Sequence, residues 1–293
     1  MVLVAVAVAA VSTSAPVIRY AAAPALAIAF WRNALASGVL VPWALWRAGG
    51  ELRSLSRREL RLSVVAGLLL AAHFATWIPS LSYTSVASSV ALVAVQPVWA
   101  ALIARWRGER IPGNGWAGIW VAVAGAALLS GIDFSISARA VFGDALALVG
   151  GLLAAAYFTV GADVRRTVST TAYTALCYPV AAVALLVGTL AGRQPLAGYS
   201  GKTWLCIGAL TLGAQLLGHS VFNRVLRTTS PTIVSIAILF EIVGAAVIAL
   251  FPPISETPPL AAVPAAALIA AGIVLVVRAG DRQPAVSAVP ALE

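Results

Sequence analysis

The stretch VALVAVQPVWAAL, residues 90–102, is apolar except at its centre. There Gln96 carries four hydrogen-bonding sites and Pro97 removes a backbone donor. The apolar run around it covers 86–104. A membrane-spanning helix needs about 20 mostly apolar residues. Comparable runs lie at 2–19, 24–46, 62–82, 115–131, 142–162, 171–191, 203–223, 232–251 and 260–277. Of the 293 residues, 61% are hydrophobic and 10% charged, against about 25% charged in soluble domains. Lipid is therefore the expected solvent. The period-two alternation of a membrane barrel is absent, and helices are the other way to satisfy every backbone group in hydrocarbon. These patterns predict an all-α integral membrane protein of ten transmembrane helices.

The opening MVLVAVAVAAVSTSAP lacks the basic start of a signal peptide and reads as the first span. The formal charge of +9 comes from Arg residues lying between apolar runs. Orientation in a bilayer explains them better than nucleic-acid binding. With the N-terminus cytoplasmic, the inner loops hold Arg47, Arg53, Arg57, Arg58, Arg61, Arg105, Arg107, Arg110, Arg165, Arg166, Arg224, Arg227, Arg278 and Arg282. The outer loops hold only Arg19, Arg139, Arg193 and Lys202. This asymmetry obeys the positive-inside rule and puts both termini in the cytoplasm.

A displacement of 145 residues lays VALVAVQPVWAAL on SIAILFEIVGAAV, residues 235–247, and Gln96 on Glu241. Trp77 lands on Phe222, and His73 one place from His219. The repeat unit is five helices, and because five is odd the second copy enters from the opposite face. The expected architecture is two inverted-topology five-helix repeats, 1–135 and 140–279, followed by a disordered cytoplasmic tail, 280–293. Transporters of that plan bind substrate near the midplane, between repeats, where helices are interrupted.

HFATWIPSLSYTSVASSVALVAVQPVWAALIARWRGERI (73–111) resembles the first EamA-type repeat of the drug/metabolite transporter superfamily. GHSVFNRVLRTTSPTIVSIAILFEIVGAAVIAL (218–250) resembles the matching part of the second. AIAFWRNALA (27–36) and GDALALVGGLLAAAYFTVGADVRR (143–166) are similar to its second and sixth helices. The resemblance implies ten helices, two inverted repeats and transport of small metabolites, often efflux. Gln96-Pro97 and Gly108-Glu109 keep the family pattern. Glu241 is followed by Ile242 instead of proline, and Glu256 stands without a preceding glycine.

Polar residues inside a span are costly and mark functional candidates. The eighth run carries Thr211, Gln215, His219 and Asn223 at spacing four. The third carries His73, Trp77 and Ser80 on one face. With Gln96 and Glu241 these would wall a wet cavity between the repeats; the plainer reading is hydrogen bonding between helices. Pro97 is expected to kink its helix beside Gln96. Glu241, the only acid deep in a run, is the candidate for carrying a proton. Arg32, the only base within a span, could pair with Glu241, bind an anionic or carboxylate substrate, or reach to the interface. Trp31 and Tyr157 are candidate aromatic walls. Small residues at spacing four, Gly143, Ala147, Gly151 and Ala155 with Gly118, Ala122 and Ala126, offer close packing within the chain or a homodimer interface.

Cys177 and Cys206 sit in apolar runs and read as buried small residues. GKT at 201–203 lacks the glycine of a phosphate-binding loop: Leu occupies position 196. No HExxH or CxxC motif occurs, so no metal, cofactor or catalytic residue is assigned. The resulting expectation is a secondary transporter in a bacterial inner membrane. It would move a small metabolite, as efflux of amino acid-like or amphiphilic compounds, by alternating access with proton coupling. A passive channel or facilitator is the rival, and a membrane-embedded enzyme a weaker one.

Overall fold

The computed structural model describes residues 2–219, 221 and 231–281. Every regular element among them is helical. In chain order they are α1 (Val2–Ser12), α2 (Ser14–Tyr20), α3 (Ala25–Ser54), α4 (Arg57–Ser80), α5 (Val86–Val93), α6 (Gln96–Trp106), α7 (Gly113–Ile136), α8 (Ala138–Val164), α9 (Thr170–Ala191), α10 (Gly201–Leu210), a π-helical segment (Thr211–His219), α11 (Pro231–Ala249) and α12 (Ala262–Asp281). Three pairs run end to end as single rods: α1 with α2, α5 with α6, and α10 with the π segment. Among the described residues seven helices, counting α5–α6 as one, are long and apolar enough to cross a membrane. Shorter apolar helices cover Val6–Tyr20 and Leu239–Ala249. α12 extends into the sequence assigned to a tail, and residues 282–293 lie outside the described residues.

Polarity is arranged for lipid. Trp46, Trp120, Leu205 and Val183 are exposed, while Arg32, Asn33, Ser89 and Gln215 are buried. An apolar periphery of this size would be an aggregation surface in water. Helix starts carry their own hydrogen-bond acceptors. Ser56 and Glu59 form a reciprocal capping box at α4, and Ser85, Ser169 and Ser200 each accept from a backbone N–H in the first turn of α5, α9 and α10.

The sequence predicts one helix through 86–104, but the rod breaks at Ala94–Val95, immediately before Gln96-Pro97. Pro97 has no N–H for the carbonyl of Val93, four residues earlier, and its ring crowds that carbonyl. Val98 N–H bonds back to Val95 at 2.8 Å, tightening the turn. The Val93 carbonyl instead faces Gly151 of α8, where a Cβ would stand 2.9 Å from the oxygen.

α7 packs on α12, α3 on α9, and α4 on both α8 and α9. α5 and α6 pack on α8, and α5 also on α11. α1 packs on the π segment and α11, and α3 on α10 and the π segment. The α7–α12 contact is backbone-close. A Cβ on Gly118 would lie 2.7 Å from the Gly272 carbonyl, and one on Gly125 2.8 Å from the Ile269 nitrogen. Both small-residue stripes are thus occupied by contacts within the chain, with Ala122, Ala147 and Ala155 buried.

Two ion pairs tie opposite ends. Arg19, in the last turn of α2, meets Glu256, before α12, at 2.8 Å. Glu256 also accepts from the Val86 N–H at 2.8 Å, and Arg19 donates to the Leu81 carbonyl. At the far end of the α5–α6 rod, Arg107 meets Asp163 of α8 at 3.1 Å. Nearby, Glu51 accepts from the Ser169 hydroxyl at 2.7 Å, and Glu59 from that of Thr167 at 2.5 Å.

Gly125→Leu is expected to lower thermal stability in detergent by about 1–3 kcal/mol or to abolish folding, because the added side chain enters a backbone contact. Gly208→Ala, whose Cβ meets nothing within 4 Å, serves as the neutral control in the same melting assay. Equal melting temperatures for the two variants would contradict the described α7–α12 contact.

Candidate functional site

The polar centre of the bundle is built on Arg32. Its position on α3 faces the core, and its side chain is 0% exposed. Arg32 Nε donates to Gln215 Oε1 at 2.9 Å. Gln215 Nε2 donates to Asn33 Oδ1 at 3.3 Å, and Asn33 Nδ2 to the Ala29 carbonyl at 2.8 Å. This chain of amides fixes the guanidinium from the Nε side. Phe74 of α4 covers one face, with its ring centre 4.4 Å from Cζ. Both terminal nitrogens, Nη1 and Nη2, are buried without a hydrogen-bond partner.

Gln215 reaches Arg32 from the π segment, whose wider turns shift side chains relative to the expected α-helical stripe. π distortions recur at functional sites. Thr211, on the same segment, turns its hydroxyl back to the Ile207 carbonyl at 2.8 Å. The side chain of His219 and the whole of Asn223 lie outside the described residues.

On α4, His73 Nδ1 meets the Gly150 carbonyl of α8 at 2.9 Å. Its ring stacks on Trp77, with 5.7 Å between centres and 7° between planes. Trp77 Nε1 is a further buried donor without a partner. Arg32 lies within electrostatic range of His73, Tyr178 and Glu241. Glu241, half-buried on α11, does not come within 4 Å of the guanidinium: the ion pairs among the described residues are the two at the bundle ends. Gln96 is half-buried in the first turn of α6, on a rod whose α5 half packs on α11.

Two of the aromatic candidates have ring partners of their own. Trp31 donates to the Leu196 carbonyl at 2.8 Å and meets Trp204 edge-on at 5.0 Å, so it anchors α3 to the loop before α10. Tyr157 stacks with Tyr173 of α9 at 6.5 Å. A cavity of about 630 Å3 opens between α3 and the π segment, with Leu216, next to Gln215, as one wall. Its other lining residues, Val39, Leu40, Pro42, Trp43 and Trp46, make it apolar.

Sequence reasoning passed over Asn33, although it adjoins Arg32, and Phe74, although it lies three residues before Trp77 on one helix. It also treated Glu241 as the sole deep acid, whereas Asp144 of α8 and Asp133 of α7 are buried together beside Thr84. Both lie near run ends, where depth is hard to read from hydropathy. Cys177 and Cys206 are free and buried, and the described residues contain no cluster able to hold a metal.

The comparisons agree with this architecture. The family model described as "EamA-like transporter family" matches residues 1–131 and again 141–278. A protein of Archaeoglobus fulgidus named "Uncharacterized transporter" is 26% identical over 213 residues, 71% of this chain and 73% of its own length. A solved structure titled "Crystal structure of protein" superposes with a TM-score of 0.67 over 96% of this chain and 98% of its own, at 18% identity, and so shares the fold. With its apolar helices and a family match over nearly its whole length, this multi-pass membrane protein belongs to the EamA-like transporter family, part of the drug/metabolite transporter superfamily.

Proposed function

We propose that the chain is a secondary transporter built from two inverted repeats, 1–135 and 140–279. It moves a small metabolite across a bacterial inner membrane by alternating access, with both termini in the cytoplasm. The helix packing carries this reading. Exchanging the two halves maps α3–α9, α7–α12 and α5–α11 each onto itself. The same exchange turns α4–α8 into α1 with the π segment, and α5–α8 into α11–α1. The ion pairs follow the same rule. A displacement of 145 residues carries Arg19 to within one residue of Asp163, and Glu256 to within four of Arg107. Each half thus supplies the same pair of positions, with the charges reversed, at opposite ends of the bundle.

Such an arrangement suits two alternating closures, one outer and one inner. Opening either face breaks one ion pair and leaves the other intact. Solvent-accessible pairs are worth about 0–1 kcal/mol each, so neither closure is too strong for thermal cycling. The polar centre around Arg32, Gln215 and Glu241 lies between the closures. Efflux of amino acid-like or amphiphilic compounds fits a site that combines charged, amide and aromatic groups. Glu241, half-buried on α11 and in electrostatic range of Arg32, is the group to which this reading assigns proton exchange during the cycle.

Two measurements test this reading. In a Cys177→Ala/Cys206→Ala background, oxidative cross-linking of Arg19→Cys with Glu256→Cys, or of Arg107→Cys with Asp163→Cys, is expected to cut flux in proteoliposomes by about tenfold or more, with recovery on reduction. Flux that survives both cross-links contradicts alternating access. Glu241→Gln is expected to retain substrate binding and lose acceleration by an imposed pH gradient; an unchanged response to the gradient removes Glu241 from coupling.

A further inference from the structure

We infer that Arg32 is the anchor for a single carboxylate on the transported molecule, and so that the substrates are small carboxylic acids, amino acids included. The inference rests on the transporter reading above and specifies the chemistry of its site.

A guanidinium stays charged at any physiological pH, and a buried charge needs a partner. Within the chain Arg32 is only partly satisfied. Gln215 is neutral and takes Nε alone. Phe74 covers one face of the group through its ring, a contact of about 0.5–2 kcal/mol that satisfies no N–H. Glu241 lies in electrostatic range without reaching either terminal nitrogen. With Nε engaged, the side-on fork of Nε and Nη is closed to a ligand. The end-on edge of Nη1 and Nη2 remains, with all its donors unmet. A planar carboxylate meets that edge with two parallel N–H···O bonds, the geometry for which guanidinium is suited.

The ligand's charge follows from counting neighbours. Arg32 is the only arginine or lysine in the interior of a predicted membrane run, Arg19 standing at the end of one. With Glu241 carrying a proton, as the coupling reading requires during the cycle, the one cation balances a monoanion and leaves a phosphate dianion uncompensated. Trp77 Nε1, also buried and unpartnered, offers a further donor on α4, which faces the same centre through Phe74. The fully buried atoms of Arg32 and Trp77 that lack partners are donors, as expected where an acceptor-rich ligand docks.

The test uses the full-length protein in proteoliposomes. Saturable exchange is measured by mass spectrometry for the proteinogenic L-amino acids and for short mono- and dicarboxylic acids. Each is run beside its carboxamide, which keeps the shape and removes the charge. The expected result is a preference for the acid over its amide of roughly tenfold or more, on the scale of a charge-assisted pair against a neutral one. Arg32→Lys should keep that preference with weaker saturation, and Arg32→Gln should lose it. The wild-type acid-to-amide comparison stands even where a variant fails to fold. Saturable flux of amides or amines equal to or above that of the acids overturns the carboxylate assignment and leaves the transporter reading intact. An absence of saturable flux for every compound overturns both.

Discussion

Hydrocarbon offers no hydrogen bonds, and that constraint organises this bundle. Hydroxyls on the helices are mostly spent on the preceding turn: Thr76, Thr159, Thr174, Thr189 and Thr211 each return a bond to a carbonyl three or four residues earlier. Ser80 and Ser89 close on each other across α4 and α5 at 2.7 Å. Gln215 donates to Asn33, whose own amide nitrogen goes to the Ala29 carbonyl. Among the described buried side chains with polar atoms left unmet, which include Ser14, Ser63, Trp77 and Asp144, Arg32 is the cation.

The same solvent removes the hydrophobic drive between helices, so close packing must supply cohesion. The chain meets this demand with glycine where rods cross. α7 and α12 touch backbone to backbone, and α8 receives the displaced carbonyl of Val93 at Gly151. The proline that breaks the α5–α6 rod and the glycine that accepts the result therefore act as one unit. Neither could be replaced by a bulky residue without moving the other rod.

Much of this was legible in the sequence because hydropathy and charge are read along the chain. Run positions and the interruption beside Gln96-Pro97 depend on local order alone. What escaped depended on contacts between distant segments. Asn33 gains its role only when Gln215 arrives from 182 positions away. Trp31, adjacent to Arg32, turns to the loop at Leu196 because successive helical residues diverge by about 100°. The division of the eighth run into α-helical and π-helical parts has no mark in a pattern of apolar residues, since it is set by hydrogen-bond register.

That register has a mechanical consequence. In the π segment each N–H reaches one residue further back than in an α-helix. Restoring ordinary turns there would draw in a residue and swing everything beyond by about 100°. Gln215 sits inside the segment with its amide against the guanidinium. A twist at that point would couple release of the arginine to rotation of Leu216 and its neighbours in the segment, turning a change of bonding pattern into torque.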